Sequence, residues 1–305
     1  MQPHVLQEML SLIDRYFPED SLRLLLHSFA AEKAAEQSPW SLITRYTHLM
    51  LGGQDQRLDQ LCALTEMIIL ALDIADDLQD QDNPDKPWMQ QSPALALNGV
   101  LGFLSAALGE IGCISERPHP LIAQLIAQAI RGQHQDLANT LETEAAYIQM
   151  ARHKSGSLMR LACHMGCLTL GALDAETLGQ LNAFADSFGL IAQLSNDIGD
   201  LVRYDLKNDL LARKRTFPIL FLLRDCAAEF PPLHDYYEQR LSKADFILHK
   251  KECLQYIEDS GCLEYTRVVQ TLLAEQADAQ LASIRALPAW KAELRKITIG
   301  KLEED

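Results

Sequence analysis

Twelve prolines punctuate the chain, yet none falls among the 97 residues from Leu121 to Phe217. A stretch that long without a helix breaker, rich in Leu, Ala, Gln and Glu, specifies long helices joined by short turns. Five valines in 305 residues, and no sustained alternation of apolar and polar positions, leave little from which to build a sheet. The periodicity predicts helices near 4–17, 21–36, 40–50, 57–82, 93–112, 120–139, 143–172, 175–204, 214–228, 243–258, 262–286 and 289–302. Gly52-Gly53, Asn83-Pro84, Arg117-Pro118 and Phe230-Pro231-Pro232 mark loops. No Ser/Gly-rich linker or change of composition divides the chain, and no repeat of solenoid length occurs. The expectation is an all-α protein, one helical-bundle domain over residues 1–305.

Charge narrows the partners. With 27 basic and 42 acidic residues the formal charge is −15, which argues against nucleic acid and against docking to anionic lipid by basic attraction. Seven cysteines, an odd number with no C-x-x-C pair, sit in apolar helical stretches and read as reduced core residues of a cytoplasmic protein. Cys163, His164 and Cys167 fall one helical turn apart, a pattern that core packing explains better than a metal. The N-terminus lacks a basic segment followed by an apolar block, so no secretory signal is expected. The longest uncharged run, Pro87–Gly109, holds two prolines, an asparagine and three glycines, and reads as a loop and a buried helix rather than a membrane span.

Two helices carry the chemistry. In Ile68–Asp82 the residues Asp73, Asp76, Asp77 and Asp80 lie at offsets 0, +3, +4 and +7, within about a third of the helix circumference. The other positions are mostly apolar, so this helix should be buried. Carboxylates crowded on the one polar face of a buried helix must protonate or take a cation. Hard divalent cations, Mg²⁺ above all, suit such oxygens. In Phe188–Val202, Gln193, Asn196, Asp197 and Asp200 repeat the same offsets between apolar flanks, about 120 residues further on. A solvated helix face is an ordinary explanation for one such cluster; two in matching phase inside apolar helices call for a shared ligand. Facing each other across a cavity, they would make a multi-Mg²⁺ site suited to diphosphate. Lys154, Lys207 and Lys214 lie in the same half of the chain and could meet a departing diphosphate, although each taken singly reads as a surface lysine.

These residues resemble the trans-polyprenyl diphosphate synthases. Asp76-Asp77-Leu78-Gln79-Asp80 is similar to that family's first D-D-x-x-D motif, and Asn196-Asp197-Ile198-Gly199-Asp200 to its second, with Asn in the first place. Gly132-Gln133-x-x-Asp136 resembles its G-Q-x-x-D, Lys154-Ser155 with Leu158 its K-T-x-x-L, and Lys207-Asn208-Asp209 and Lys214-Arg215-Thr216 its K-x-D and K-x-T. Gly52-Gly53 matches its G-G-K-R. The resemblance implies an all-α bundle around a deep apolar cavity, in which an allylic prenyl diphosphate ionises. It implies Mg²⁺, about three ions per site with Mn²⁺ able to substitute, on Asp76, Asp77, Asp80, Asp197 and Asp200. It further implies diphosphate contacts at Lys154, Lys207 and Lys214, substrate contacts at Gln133, Gln193 and Asn196, and a homodimer. Apolar faces such as Leu95–Leu108 could pair subunits or serve as intrachain core.

The departures bear on the acceptor. The stretch Asn83–Gln91 has no arginine where the family carries a pair, and Gln54 and Asp55 replace the G-G-K-R lysine and arginine, leaving Arg57. Those cations bind isopentenyl diphosphate in the family. D-I-A-D-D-L-Q-D-Q-D-N followed by W-M, G-Q-H-Q-D and G-L-I-A-Q-L-S resembles a narrower branch, the isoprenyl transferases that modify a tryptophan of a quorum-sensing precursor peptide. An indole is neutral and needs no second diphosphate pocket, and Trp88 and Met89 stand about where the arginines would be. The alternatives are a short-chain prenyl diphosphate synthase, a class I terpene cyclase and a non-catalytic subunit. Asp200 and Tyr204 stand where the cyclase motif has Ser and Glu, and the intact aspartates speak against a non-catalytic role. Ala71, one turn before the aspartates, leaves room for a donor tail of ten to twenty carbons, farnesyl favoured.

Overall fold

The computed structural model describes residues 1–36, 38–114, 120–202 and 208–302. Among them only helices and turns occur: α1 (Pro3–Tyr16), α2 (Asp20–Ala35), α3 (Trp40–Met50), α4 (Leu58–Asp80), α5 (Pro93–Ile114), α6 (Pro120–Ala138), α7 (Glu144–Ala151), α8 (Ser157–Cys167), α9 (Ala175–Val202), α10 (Phe217–Glu229), α11 (Pro231–Tyr237), α12 (Lys243–Ile247), α13 (Lys250–Ser260), α14 (Cys262–Ser283), α15 (Pro288–Ile297) and α16 (Ile299–Leu302). One turn of π-helix, Arg152–Gly156, joins α7 to α8. The all-α expectation holds. The predicted helix over 143–172 is therefore interrupted, and the one over 243–258 is split at Leu248–His249. The predicted Arg117-Pro118 loop and Lys207 lie outside the described residues.

α4 is the axis. It is apolar on nearly every side, and every residue from Leu61 to Ala71 is buried. α1, α3, α5 and α8 pack around it, and its core continues into Phe29, Phe103, Leu125 and Met165. A second core joins α3, α8, α9, α14 and α15 through Ile43, Phe184, Ile191 and Leu281. α4 ends where Gln81 turns left-handed at φ 57°, with its N–H bonded to the Asp77 carbonyl. α5 is the one described helix long and apolar enough to cross a membrane; half of its most apolar window is buried inside the protein. No disulfide joins any of the seven cysteines, and His164 Nε2 lies 2.8 Å from Asn182 Oδ1.

Two glycines bring the site's walls together. A methyl group at Gly132 of α6 would run into the Lys154 backbone nitrogen, and one at Gly189 of α9 would come within 2.5 Å of Gly156 Cα. Bare backbones at these points let the π turn pass between α6 and α9. Such a widened turn, frequent at functional sites, re-aims the side chains that follow it. Here it presents Lys154 and Ser155 to the space between α4 and α9.

Candidate active site

A cavity of about 420 Å³ lies between the C-terminal half of α4, α6, the π turn and α9. Asp73, Asp76 and Asp80 line it from α4; Gln193, Asn196, Asp197 and Asp200 line it from α9. The two helices that share one spacing thus face each other across one space. Lys154, Lys214, Gln133, Asp136 and Asp209 complete the polar wall, and Leu72, Ile130, Leu158, Met159, Phe188 and Trp40 supply apolar surface.

Lysines hold the first acidic helix. Lys154 Nζ lies 2.7 Å from Asp136 and 3.4 Å from Asp76, and Lys214 Nζ 2.9 Å from Asp80 and 3.9 Å from Asp209. Burial alone would lower the pKa of both ammonium groups, but the neighbouring carboxylates carry them above the usual lysine range. Burial also raises the Asp76 carboxyl pKa, with Asp80 and Asp136 adding to it and Lys154 opposing it.

On the second helix Asp197 is 2% exposed. It accepts from the Tyr147 hydroxyl, from Phe217 N at 3.1 Å and from Gln193 Nε2 at 3.1 Å. Burial pushes its carboxyl up to about 7, the three donors pulling the other way. Gln193 accepts in turn from Ser155 Oγ at 2.6 Å. Asp197 therefore ties α9 to α7 and to the start of α10, while Asn196 and Asp200 stay accessible from the cavity.

Four expectations change. Asp77 does not line the cavity: a 100° step round the helix from Asp76 turns it to Trp88 Nε1 at 2.7 Å and Asn83 Nδ2 at 2.6 Å. Trp88 and Met89 do not offer an aromatic surface to an acceptor, because Trp88 is 1% exposed and set edge-on to Phe29. Ala71 is fully buried in the core around α4, and Leu72 and Ala75 line the cavity in its place. Arg57 also lies away from the cavity wall, held by Asp55 at 2.9 Å and by the Ile114 carbonyl at 3.0 Å; the Arg57 guanidinium in turn holds the Asp55 carboxyl down at about 2. Tyr147, Asp136 and Asp209 belong to the site without having been singled out. Asp136 and Asp209 are the aspartates of the G-Q-x-x-D and K-x-D motifs, to which no role was given, and no local pattern distinguishes Tyr147 from a core aromatic.

Among the described residues no three carboxylate, imidazole or thiol groups converge on one point. The hard oxygens instead line one cavity from opposite sides, and both amide atoms of Gln133 and the Thr216 hydroxyl are buried on its wall without a hydrogen-bond partner among the described residues. Carboxylates spread in this way, beside unmatched polar groups, fit cations that complete their shells with a bound diphosphate.

A helical bundle that sets two acidic helix faces and two lysines around an apolar-walled cavity defines an isoprenoid-synthase fold. The polyprenyl synthetase family model matches residues 39–257, and the chain belongs to that family and is a prenyl-group transferase. It is 28% identical to the tryptophan prenyltransferase ComQ of Bacillus subtilis subsp. natto, over 92% of this chain and 86% of that protein. It is 30% identical to ComQ of Bacillus subtilis strain 168, over 82% and 85%. The geranylgeranyl pyrophosphate synthase of Corynebacterium glutamicum, solved with calcium and isoprenyl diphosphate, superposes with a TM-score of 0.76 over 98% of this chain and 93% of that one, at 19% identity.

Proposed function

We propose that this protein transfers the isoprenyl group of an allylic prenyl diphosphate to the side chain of a tryptophan in a peptide, with Mg²⁺ as cofactor. The observation that carries the choice of acceptor is the state of the cations on that side of the cavity. Lys33 is held by Asp73 and Glu36, and Lys86 by Glu32 and Glu36. A second diphosphate would have to break these pairs and would meet carboxylates in their place. A neutral indole meets no such barrier. The names of the ComQ relatives support the same acceptor.

Asp76, Asp80 and Asp200, with Asn196 beside them, would hold Mg²⁺. Cations held there would supply Lewis-acid neutralisation of the leaving diphosphate. Lys154 and Lys214, on the same wall, offer charged donors to that diphosphate as its charge grows. Gln193 is fixed by Ser155 and Asp197, so this part of the wall is organised before substrate arrives. Phe188, Met159 and Leu158 enclose the allylic chain and exclude water, which would otherwise trap the carbocation.

The proposal extends to the assembly and its place. Leu95, Leu97, Leu101 and Leu108 of α5 and Leu121 of α6 are exposed, an apolar surface suited to a homodimer. Seven cysteines with no disulfide among them suit a reducing compartment such as the cytoplasm. The deciding experiment supplies purified protein with Mg²⁺, labelled farnesyl diphosphate and either isopentenyl diphosphate or a tryptophan-bearing peptide. Label on the peptide is the expected result. A longer prenyl diphosphate formed efficiently at micromolar isopentenyl diphosphate would overturn the reading in favour of a short-chain synthase.

A further inference from the structure

Asp73 lies outside the five-residue aspartate motif, yet it lines the same wall one helical turn before Asp76. Its Oδ2 is fixed by Lys33 Nζ at 2.6 Å. Lys33 is 4% exposed and is braced by Glu36 at 3.2 Å. Oδ1 of Asp73 has no hydrogen-bond partner among the described residues, and the side chain, 39% exposed, faces the cavity. Burying a lysine against a carboxylate is a poor way to stabilise a core, since apolar residues of the same volume do as well or better. What the pair achieves is to present one ionised oxygen, held rigidly, at the end of the cavity that Trp40 also lines. Around it three carboxylates (Glu32, Glu36, Asp73) meet two ammonium groups (Lys33, Lys86), which leaves that end with a net negative charge.

Resting on the reading of tryptophan as acceptor, we propose that Asp73 recognises the indole N–H and receives its proton. As the ring carbon β to nitrogen attacks, its π electron pair forms the new carbon–carbon bond to the allylic carbon. The allylic C–O bond breaks, and its electron pair leaves with the diphosphate. Positive charge then settles on the indole nitrogen, where the Asp73 carboxylate lies. The N–H proton passes to Asp73 Oδ1, leaving a neutral ring imine and a neutral acid. Lys33 is a positioning residue: it fixes Oδ2 and so directs Oδ1. Burial raises the Asp73 carboxyl pKa, Lys33 opposing it, which suits a group that must take a proton.

The test compares two peptides, one with tryptophan and one with its benzothiophene analogue, which has the same shape but a sulfur in place of N–H. Affinity for each is measured by titration calorimetry, with Mg²⁺ and a non-hydrolysable farnesyl diphosphate analogue present, for the wild type, for Asp73→Ala, and for the double variant Lys33→Met with Asp73→Leu, which removes the pair without leaving a buried charge alone. A charge-assisted hydrogen bond to N–H predicts that the wild-type preference for tryptophan over the analogue falls about ten- to a hundredfold in both variants. A role in folding alone would lower both acceptors equally and leave the ratio unchanged, and that result overturns the proposal. A wild type that elongates isopentenyl diphosphate and labels no peptide would overturn the acceptor assignment itself, and this proposal with it.

Discussion

Replacing Trp88 with Phe separates two roles that the sequence alone could not. If Trp88 were part of the acceptor surface, an aromatic substitute would keep the fold and change the affinity for the peptide. The structure predicts the reverse. Trp88 Nε1 donates to Asp77 Oδ2 at 2.7 Å in a site 1% exposed, and Asn83 is the other donor to that carboxylate. Losing a hydrogen bond to a buried charged group costs about 1.5–3 kcal/mol, and the missing ring volume adds roughly another 1 kcal/mol. For 305 residues the unfolding entropy near 60 °C is about 0.6 kcal/mol/K, so the loss lowers Tm by roughly 4–6 °C. Scanning calorimetry of the two proteins measures the shift, and KM for a tryptophan peptide should stay within about twofold. A variant that melts like the wild type but binds peptide tenfold more weakly would refute the placement of Trp88 in the core.

Asp76→Asn or Asp80→Asn should reduce turnover by roughly two or more orders of magnitude at saturating Mg²⁺ while the protein remains folded, because the charge they help neutralise grows as the diphosphate leaves; steady-state kinetics with circular dichroism checks both halves. Mg²⁺ together with a non-hydrolysable farnesyl diphosphate analogue should raise Tm by several degrees, and chelation should abolish the rise, since a ligand bound only by the folded state stabilises it. Ala71→Phe should cost about 1–3 kcal/mol by overpacking and leave donor length unchanged, whereas Leu72→Phe should shift preference to a shorter donor; product analysis with geranyl and farnesyl diphosphate distinguishes them. Asp197 has its carboxyl raised to about 7 in the fold, so the folded protein binds more protons than the unfolded chain. Its contribution is fully present below the unfolded value of about 3.9 and is lost as pH rises through 7, so metal-free stability should fall across that window and Asp197→Asn should flatten the fall in a Tm–pH series.

The site's outline was legible because it is written in the helix period. Offsets of 3, 4 and 7 place side chains on one face whatever the tertiary structure, so Asp73, Asp76 and Asp80 on α4 and Gln193, Asn196 and Asp200 on α9 could be grouped before any packing was known. The same period misled at Asp77, whose adjacency to Asp76 in sequence means a rotation away from it in space, toward a tryptophan that only the turn after α4 brings near. Lys154 was found through a local motif, but the π turn that aims it was not: it depends on Gly132 and Gly189 lying on helices that meet only in the fold. Long-range pairing was out of reach for the same reason. Lys33 precedes Asp73 by 40 residues and Lys214 follows Asp80 by 134, and nothing local marks either lysine as a partner of a carboxylate rather than a surface charge. Yet the proposed division of the cavity into donor and acceptor ends rests on these pairings. Lys154 and Lys214 each share two carboxylates on the wall itself, where the proposed diphosphate would sit. Lys33 and Lys86 are paired with Glu32, Glu36 and Asp73, so on the proposed reading a second diphosphate there would meet no net positive charge. A chain can thus keep the fold and donor chemistry of the polyprenyl synthetases and still change its acceptor, through the partners its cations find rather than through their number.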